Sequence, residues 1–152
     1  MLDSSGPALR QGLLAAPWLI KPNRQETEEL LGRRLRKLSH VAKAAAGLVA
    51  RGPQLALISL GADGAVLASR GRTAIWWAKP PTVPVDSTVG AGDSLVAGFV
   101  TGYRATRSLE EALRLGVACG AATAMTPGTE LCHRKDAERL LPRVTIKRIN
   151  AT

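Results

Sequence analysis

Three features of this sequence predict an α/β fold with a largely parallel sheet flanked by helices. Short apolar runs bounded by glycine and proline read as buried strands. Longer runs with helical spacing carry start and stop signals. The two kinds of segment alternate along the chain, as strand–helix–strand units do. At 152 residues the chain is long enough for one domain with its own core.

The elements follow in order. Met1-Leu2-Asp3 resembles the tail of a strand. Pro7 suits the first turn of a helix through about Ala16, where its missing N–H costs nothing. Trp18-Leu19-Ile20 reads as a short strand, stopped by Lys21-Pro22-Asn23. A helix from Arg24 to Leu31 ends at Gly32, and a second runs from about Ser39 to Ala50, ended by Gly52-Pro53. Leu55 to Leu60 is an apolar strand bounded by Gly61, and Gly64 divides it from Ala65–Ala68. Arg70-Gly71-Arg72 reads as a hairpin turn into Thr73–Trp77. Prolines 80, 81 and 84 form a stiff, extended linker. A helix begins near Gly92 and runs to about Arg104, with Leu95, Val96, Phe99 and Val100 on one face. Ser108 and Glu111 predict a reciprocal capping box for the next helix, which continues to about Met125. Thr126-Pro127-Gly128-Thr129 breaks it. A short helix from Arg134 to Leu141 and a strand from Val144 to Ile149 complete the pattern.

Composition narrows the function classes. The chain is 45% hydrophobic and 22% charged, the balance of a folded domain and not of a disordered one. No apolar run approaches the roughly 18 residues that cross a bilayer. Asp3 and the Ser4–Pro7 run interrupt any secretory leader, so a cytoplasmic location is expected, with no membrane partner. The net charge of +9 raises nucleic-acid binding, with Arg33, Arg34, Arg36 and Lys37 its best support. No aromatic residue is interleaved with them as a stacking platform, so they read as a solvated helix end and no nucleic-acid partner is expected. A basic surface also suits a small phosphorylated substrate. Cys119 and Cys132 lack metal-ligand spacing and read as structural thiols in a reducing compartment. His40 and His133 are isolated.

The stretch Ser87–Phe99, STVGAGDSLVAGF, carries the chemistry. It is not a P-loop, because no lysine follows its glycines. It is not a dinucleotide fingerprint, because position 95 is leucine. It is not a nucleophile elbow, because Ser94 lies between Asp93 and Leu95. What remains is a glycine turn at a helix N-terminus, where N–H groups lack partners and the dipole is positive. Glycines let an anion approach that backbone, so Gly90, Ala91 and Gly92 can form a phosphate hole. Asp93 has two readings: a first-turn acid that stabilises the helix dipole, or a base that accepts a hydroxyl proton beside that hole. The second is what phosphoryl transfer to an alcohol needs.

On these residues the chain resembles the PfkB/ribokinase family of carbohydrate kinases. Ser87–Ser94 is similar to the family's C-terminal signature, and Lys21-Pro-Asn-Arg-Gln-Glu26 to its Asn-x-x-Glu motif. Ser59-Leu-Gly-Ala-Asp-Gly64 resembles its nucleotide-binding strand and turn, and Gly120–Thr129 the helix and loop beside adenine. The four motifs occur in the family's order over nearly all of the chain. The resemblance implies a ribokinase-like fold with ATP and Mg²⁺ as cofactors, K⁺ in some members, and a sugar phosphate as the other substrate. It implies Asp93 as catalytic base and Gly90, Ala91 and Gly92 as the anion hole. It implies Lys21, Asn23, Ser59, Gly61 and Gly64 at the nucleotide, with Val117 and Ala121 as a wall against adenine. Glu26 would help place Mg²⁺ through water, and carbonyls near Ser87, Val89 and Gly128 would receive a monovalent cation. Gln25 stands where phosphofructokinases of this type often have a lysine.

Within the family the phosphofructokinase and tagatose-phosphate kinase branch is the most similar. Glu130-Leu-Cys-His133 looks more like the minor-type 6-phosphofructokinases, so fructose 6-phosphate is the expected acceptor. The alternatives are a 1-phosphofructokinase, a tagatose-6-phosphate kinase, or a nucleotide-binding remnant without catalysis. Against the family's length, residues 1–152 correspond to the C-terminal nucleotide-binding portion, without the sugar-binding half and the lid through which members often form homodimers. Little or no kinase activity is therefore expected of this chain alone.

Overall fold

The computed structural model describes residues 1–150. Five strands form one sheet in the order β1 (Leu19–Ile20), β2 (Leu55–Ser59), β3 (Ala65–Ser69), β4 (Ile75–Lys79) and β5 (Thr145–Ile149). The helices are α1 (Gly6–Leu14), α2 (Arg24–Leu31), α3 (Leu38–Val49), α4 (Ala91–Thr106), α5 (Leu109–Thr123) and α6 (Arg134–Leu140). The α/β expectation holds, and most element boundaries fall within two residues of the sequence reading. The first helix stops early because Ala16 turns to φ 45° ahead of Pro17, whose ring disfavours helical backbone in the residue before it.

The sheet is mixed where the sequence predicted a largely parallel one. β1 and β2 are parallel, with Leu19 opposite Leu55. Single parallel bridges, Leu2 to Ile20 and Asn23 to Ser59, flank that ladder. The first of them is the strand tail expected at Met1–Asp3. β2 and β3 are antiparallel, with Leu57 opposite Leu67. Their connection, residues 60–64, includes a single 3₁₀ turn at Gly61–Asp63. A parallel partner would need a crossover of about a dozen residues or more.

The chain divides into two compact units. The first comprises residues 1–60 and 65–77 with the end of β5. Its core lies where α3 packs on β2 and β3. Ala42, Ala45 and Leu48 of α3 are fully buried, as are Ala56 and Ile58 of β2. Alanines let the helix backbone approach the sheet, and the larger Leu, Ile and Val side chains supply the buried area, each about 1.5–3 kcal/mol of transfer free energy. Glu28 fixes the exit from α2. Its carboxylate accepts from the Leu35 N–H at 2.7 Å and from Arg34 at 2.9 Å. These two bonds, the Leu35 N–H foremost, hold its carboxyl below the usual range. The basic cluster Arg33, Arg34, Arg36 and Lys37 is exposed, as expected of a solvated segment.

The second unit comprises residues 61–64 and 78–146. α4 and α5 form a helical hairpin across Arg107 and Ser108, and Arg107 caps α4 at φ 57°. The helices meet at bare backbone. A Cβ on Gly116 of α5 would lie 2.6 Å from the Leu95 carbonyl oxygen, and one on Gly98 of α4 would lie 3.0 Å from the Gly116 Cα. Phe99 is fully buried in α4. Ser108 caps α5 by accepting from the Glu111 N–H at 3.3 Å. The reciprocal half of the expected capping box is not made: the Glu111 carboxylate turns instead toward Arg114, 3.7 Å away. Arg114 donates to the Val144 carbonyl at 2.7 Å and ties α5 to the segment before β5.

Candidate active site

In the second unit, Gly90 is the N-cap of α4 and adopts φ 76°, so the left-handed conformation that ends the loop falls on a residue without a Cβ. No side chain caps the helix. The Ala91 N–H turns back to the Thr88 carbonyl at 3.3 Å, and the Ser94 N–H bonds to the Gly90 carbonyl at 2.9 Å. Between them, the N–H groups of Gly92 and Asp93 have no partner among the described residues. The open donors of the expected anion hole are thus those of Gly92 and Asp93, and Ala91 contributes a donor already engaged in the turn. Asp93 is exposed in the first turn, and its carboxylate accepts no hydrogen bond there.

A hydrogen-bond chain fixes this turn from behind. Thr123, fully buried at the end of α5, donates to Ser94 Oγ at 2.7 Å. The same Thr123 oxygen accepts from the Cys132 N–H at 3.1 Å. Thr126 Oγ1 lies 2.7 and 2.6 Å from the carbonyl oxygens of Thr123 and Glu130. The α4 start, the α5 end and the 126–132 loop therefore share one polar network. Neither Thr123 nor Ser94 stood out in the sequence as a site residue. The signal available was a threonine inside the alanine run of residues 118–124.

Three more expected residues come together here. Ser87 Oγ donates to the Gly128 carbonyl at 2.6 Å and accepts from the Val89 N–H at 3.3 Å. The oxygens in this cluster are neutral, which fits a singly charged cation better than a divalent one, whose sites draw on carboxylates. Val117 and Ala121 share one face of α5 and are buried. Gly64 adopts φ 86°, and a Cβ there would lie 1.8 Å from the Ala78 carbonyl oxygen. Gly61 is also left-handed, at φ 61°, but faces open space.

The first unit holds the other expected residues. Asn23 N-caps α2 with a complete capping box. Its Oδ1 accepts from the Glu26 N–H at 2.8 Å, and Glu26 Oε2 accepts from the Asn23 N–H at 2.8 Å. The i, i+3 spacing that the resemblance assigned to the nucleotide has this structural use. The Asn23–Ser59 bridge places both residues at the same end of the parallel strands. Lys21 is buried and pairs with Asp3 at 3.1 Å. A cavity of about 240 Å³ opens between the starts of α1 and α2, walled by Pro7, Arg10, Glu26 and Leu30. Asn23→Ala is expected to destabilise the protein by about 0.5–2 kcal/mol through loss of the cap. Thermal unfolding checks this, and an unchanged midpoint would show that the capping box contributes nothing.

The model of the pfkB family carbohydrate kinases matches residues 1–136. This chain belongs to the pfkB family. Its curated relatives include the 1-phosphofructokinase of Escherichia coli K12, 41% identical over 150 residues, which are 99% of this chain and 47% of that protein. Phosphofructokinase-2 from Escherichia coli, solved in complex with potassium, superimposes with a TM-score of 0.85 at 37% identity, over 93% of this chain and 46% of the other. Ribokinase from Arabidopsis thaliana, complexed with ribose and ATP, gives 0.79 at 26% identity, over 92% and 46%. The chain spans about half the length of the pfkB relatives it matches. No described helix is long and apolar enough to cross a membrane.

The names of the relatives fit the alternative acceptor better than the first expectation. The sequence favoured the minor-type 6-phosphofructokinases on the strength of Glu130-Leu-Cys-His133. Curated relatives at 36–42% identity carry the name 1-phosphofructokinase, and solved relatives at 34–37% identity the name phosphofructokinase-2. In the structure, Glu130 and His133 are exposed and pair with each other at 3.0 Å. They bear on the shape of the α5–α6 loop, and give no chemical reason to prefer one sugar phosphate.

Proposed function

We propose that this chain is the nucleotide-binding and phosphoryl-transferring portion of an ATP-dependent sugar-phosphate kinase, with fructose 1-phosphate as acceptor. The observation that carries the reading is the pair of open N–H groups at Gly92 and Asp93 beside an exposed, unbonded carboxylate. Asp93 takes the proton from the acceptor hydroxyl as its oxygen attacks the γ-phosphorus of ATP. The bond to the β,γ-bridging oxygen breaks and ADP leaves. The Gly92 and Asp93 N–H groups stabilise charge on the transferring phosphoryl group, aided by the α4 dipole. Gly90 keeps the approach clear.

Asn23 and Glu26 are proposed to face the phosphates, with Glu26 helping to hold Mg²⁺ through water. The capping box leaves Glu26 Oε1 available for this. The metal would neutralise phosphate charge. Lys21, Ser59, Gly61 and Gly64 are assigned to the phosphates and ribose, and Val117 and Ala121 to adenine. Ser87, Val89 and Gly128 are assigned to a monovalent cation, supported by their neutral oxygens and by the potassium complex of a relative.

The acceptor assignment rests on the names of the relatives. It is tested by fusing this chain to the half of the Escherichia coli relative that it does not span and measuring ADP release. Fructose 1-phosphate is expected to give a higher kcat/KM than fructose 6-phosphate or tagatose 6-phosphate. Equal or higher values for either competitor would overturn the assignment. The 152-residue chain alone is expected to bind ATP with little turnover.

A further inference from the structure

Two half-buried thiols of the second unit, Cys119 and Cys132, take no part in this chemistry. Cys119 lies on α5 one turn before Thr123. Its sulfur sits over Gly98 of α4, 2.8 Å from where a Cβ on that glycine would be. Cys132 lies in the α5–α6 loop between exposed Leu131 and His133. Its N–H bonds to Thr123 Oγ1 at 3.1 Å. Residues four apart share a helix face, so this bond seats Cys132 against the face that Cys119 occupies. The two thiols are neighbours: burial first, then the Cys132 thiol, push the Cys119 thiol up to about 11.

We propose that Cys119 and Cys132 are a redox modification site that closes to an intramolecular disulfide by exchange with a small-molecule disulfide. The Cys132 thiolate attacks one sulfur of the reagent RSSR. That S–S bond breaks, one RS⁻ leaves and takes a proton from solvent, and Cys132 carries SR. Cys119 then gives its proton to solvent, attacks Cys132 Sγ and displaces the second RS⁻. The two thiols lose two electrons and two protons, and RSSR becomes two RSH. Cys132 reacts first because Cys119, buried beside it, is the poorer thiolate.

The bridge would pin residues 124–132 to α5. This loop presents the Gly128 carbonyl to Ser87 and the Leu131 side chain to the open side of Gly90, where a Cβ would lie 3.4 Å from it. Thiol oxidation would thus stiffen the wall of the turn that leads to Asp93.

The test needs no kinase activity. The reduced chain is equilibrated with oxidised glutathione, and its peptides are mapped by mass spectrometry. The expected product has lost both free thiols, contains a 119–132 cross-link within one chain, and is restored by dithiothreitol. Amide hydrogen exchange across 124–132 is expected to slow in the oxidised form. Cys119→Ser should stop at a glutathione adduct on Cys132, and Cys132→Ser should leave Cys119 unreacted. A stable glutathione adduct on wild-type Cys132, a disulfide between two chains, or two thiols that stay free would each overturn the proposal.

Discussion

Asp93→Asn is expected to lower kcat by roughly 10²–10⁴-fold, the contribution typical of a positioned general base. ATP affinity should stay close to that of the parent. Asparagine keeps the size of the side chain but cannot take up the acceptor proton. Asp93 is exposed and accepts no hydrogen bond among the described residues, so the substitution breaks no internal contact. The structural cost is limited to the interaction of one carboxylate with the α4 dipole, about 0.3–1 kcal/mol. ADP release from the fusion described above reads the turnover, and calorimetry on the chain alone reads the affinity. Turnover within tenfold of the parent would mean that the proton goes elsewhere. A loss of ATP binding with kcat unchanged would make Asp93 a nucleotide contact instead of a base.

Gly64→Ala is expected to be the most damaging single substitution for stability. The position adopts φ 86°, and the new Cβ would lie 1.8 Å from the Ala78 carbonyl oxygen and 2.8 Å from its carbon. Left-handed strain costs about 1–3 kcal/mol, and overpacking against a fixed backbone adds about 1–3 more. A total of roughly 2–6 kcal/mol lowers the midpoint of a domain this size by roughly 5–20 °C. Gly61→Ala provides the contrast, since its φ of 61° opens onto empty space. It should cost only the conformational term, about 1–2 kcal/mol. If the two variants unfold at the same temperature, the close approach at Ala78 does not constrain the turn.

The elements that the sequence made legible are those whose signals are local. Gly32 ends α2 in the left-handed conformation, as its position after Leu31 implied. The Leu55–Leu60 run is buried because both faces of β2 are covered, and a continuous apolar run expresses that. The sheet's mixed character was present in the short links, since residues 60–64 and the turn at Arg70–Arg72 are too brief for parallel crossovers, but the alternation of strands and helices along the rest of the chain pointed to a parallel sheet. Side-chain partners were less legible still. Ser108–Glu111 and Asn23–Glu26 have the same spacing, yet only the second closes both bonds, because Glu111 has Arg114 within reach. The glycine turn announced Asp93, but the Thr123–Ser94 bond behind it joins residues 29 apart in sequence. The two thiols, thirteen positions apart and without metal-ligand spacing, gave no sign of being neighbours.

The reading turns on the N-terminus of α4 receiving the transferring phosphate. Amide ¹H–¹⁵N spectra of the chain, titrated with Mg²⁺ and a non-hydrolysable ATP analogue, address it directly. The Gly92 and Asp93 N–H resonances are predicted to move downfield with the triphosphate and to move little with AMP. If both stay in place while the triphosphate shifts other residues, the nucleotide binds elsewhere and the α4 N-terminus does not receive the phosphate.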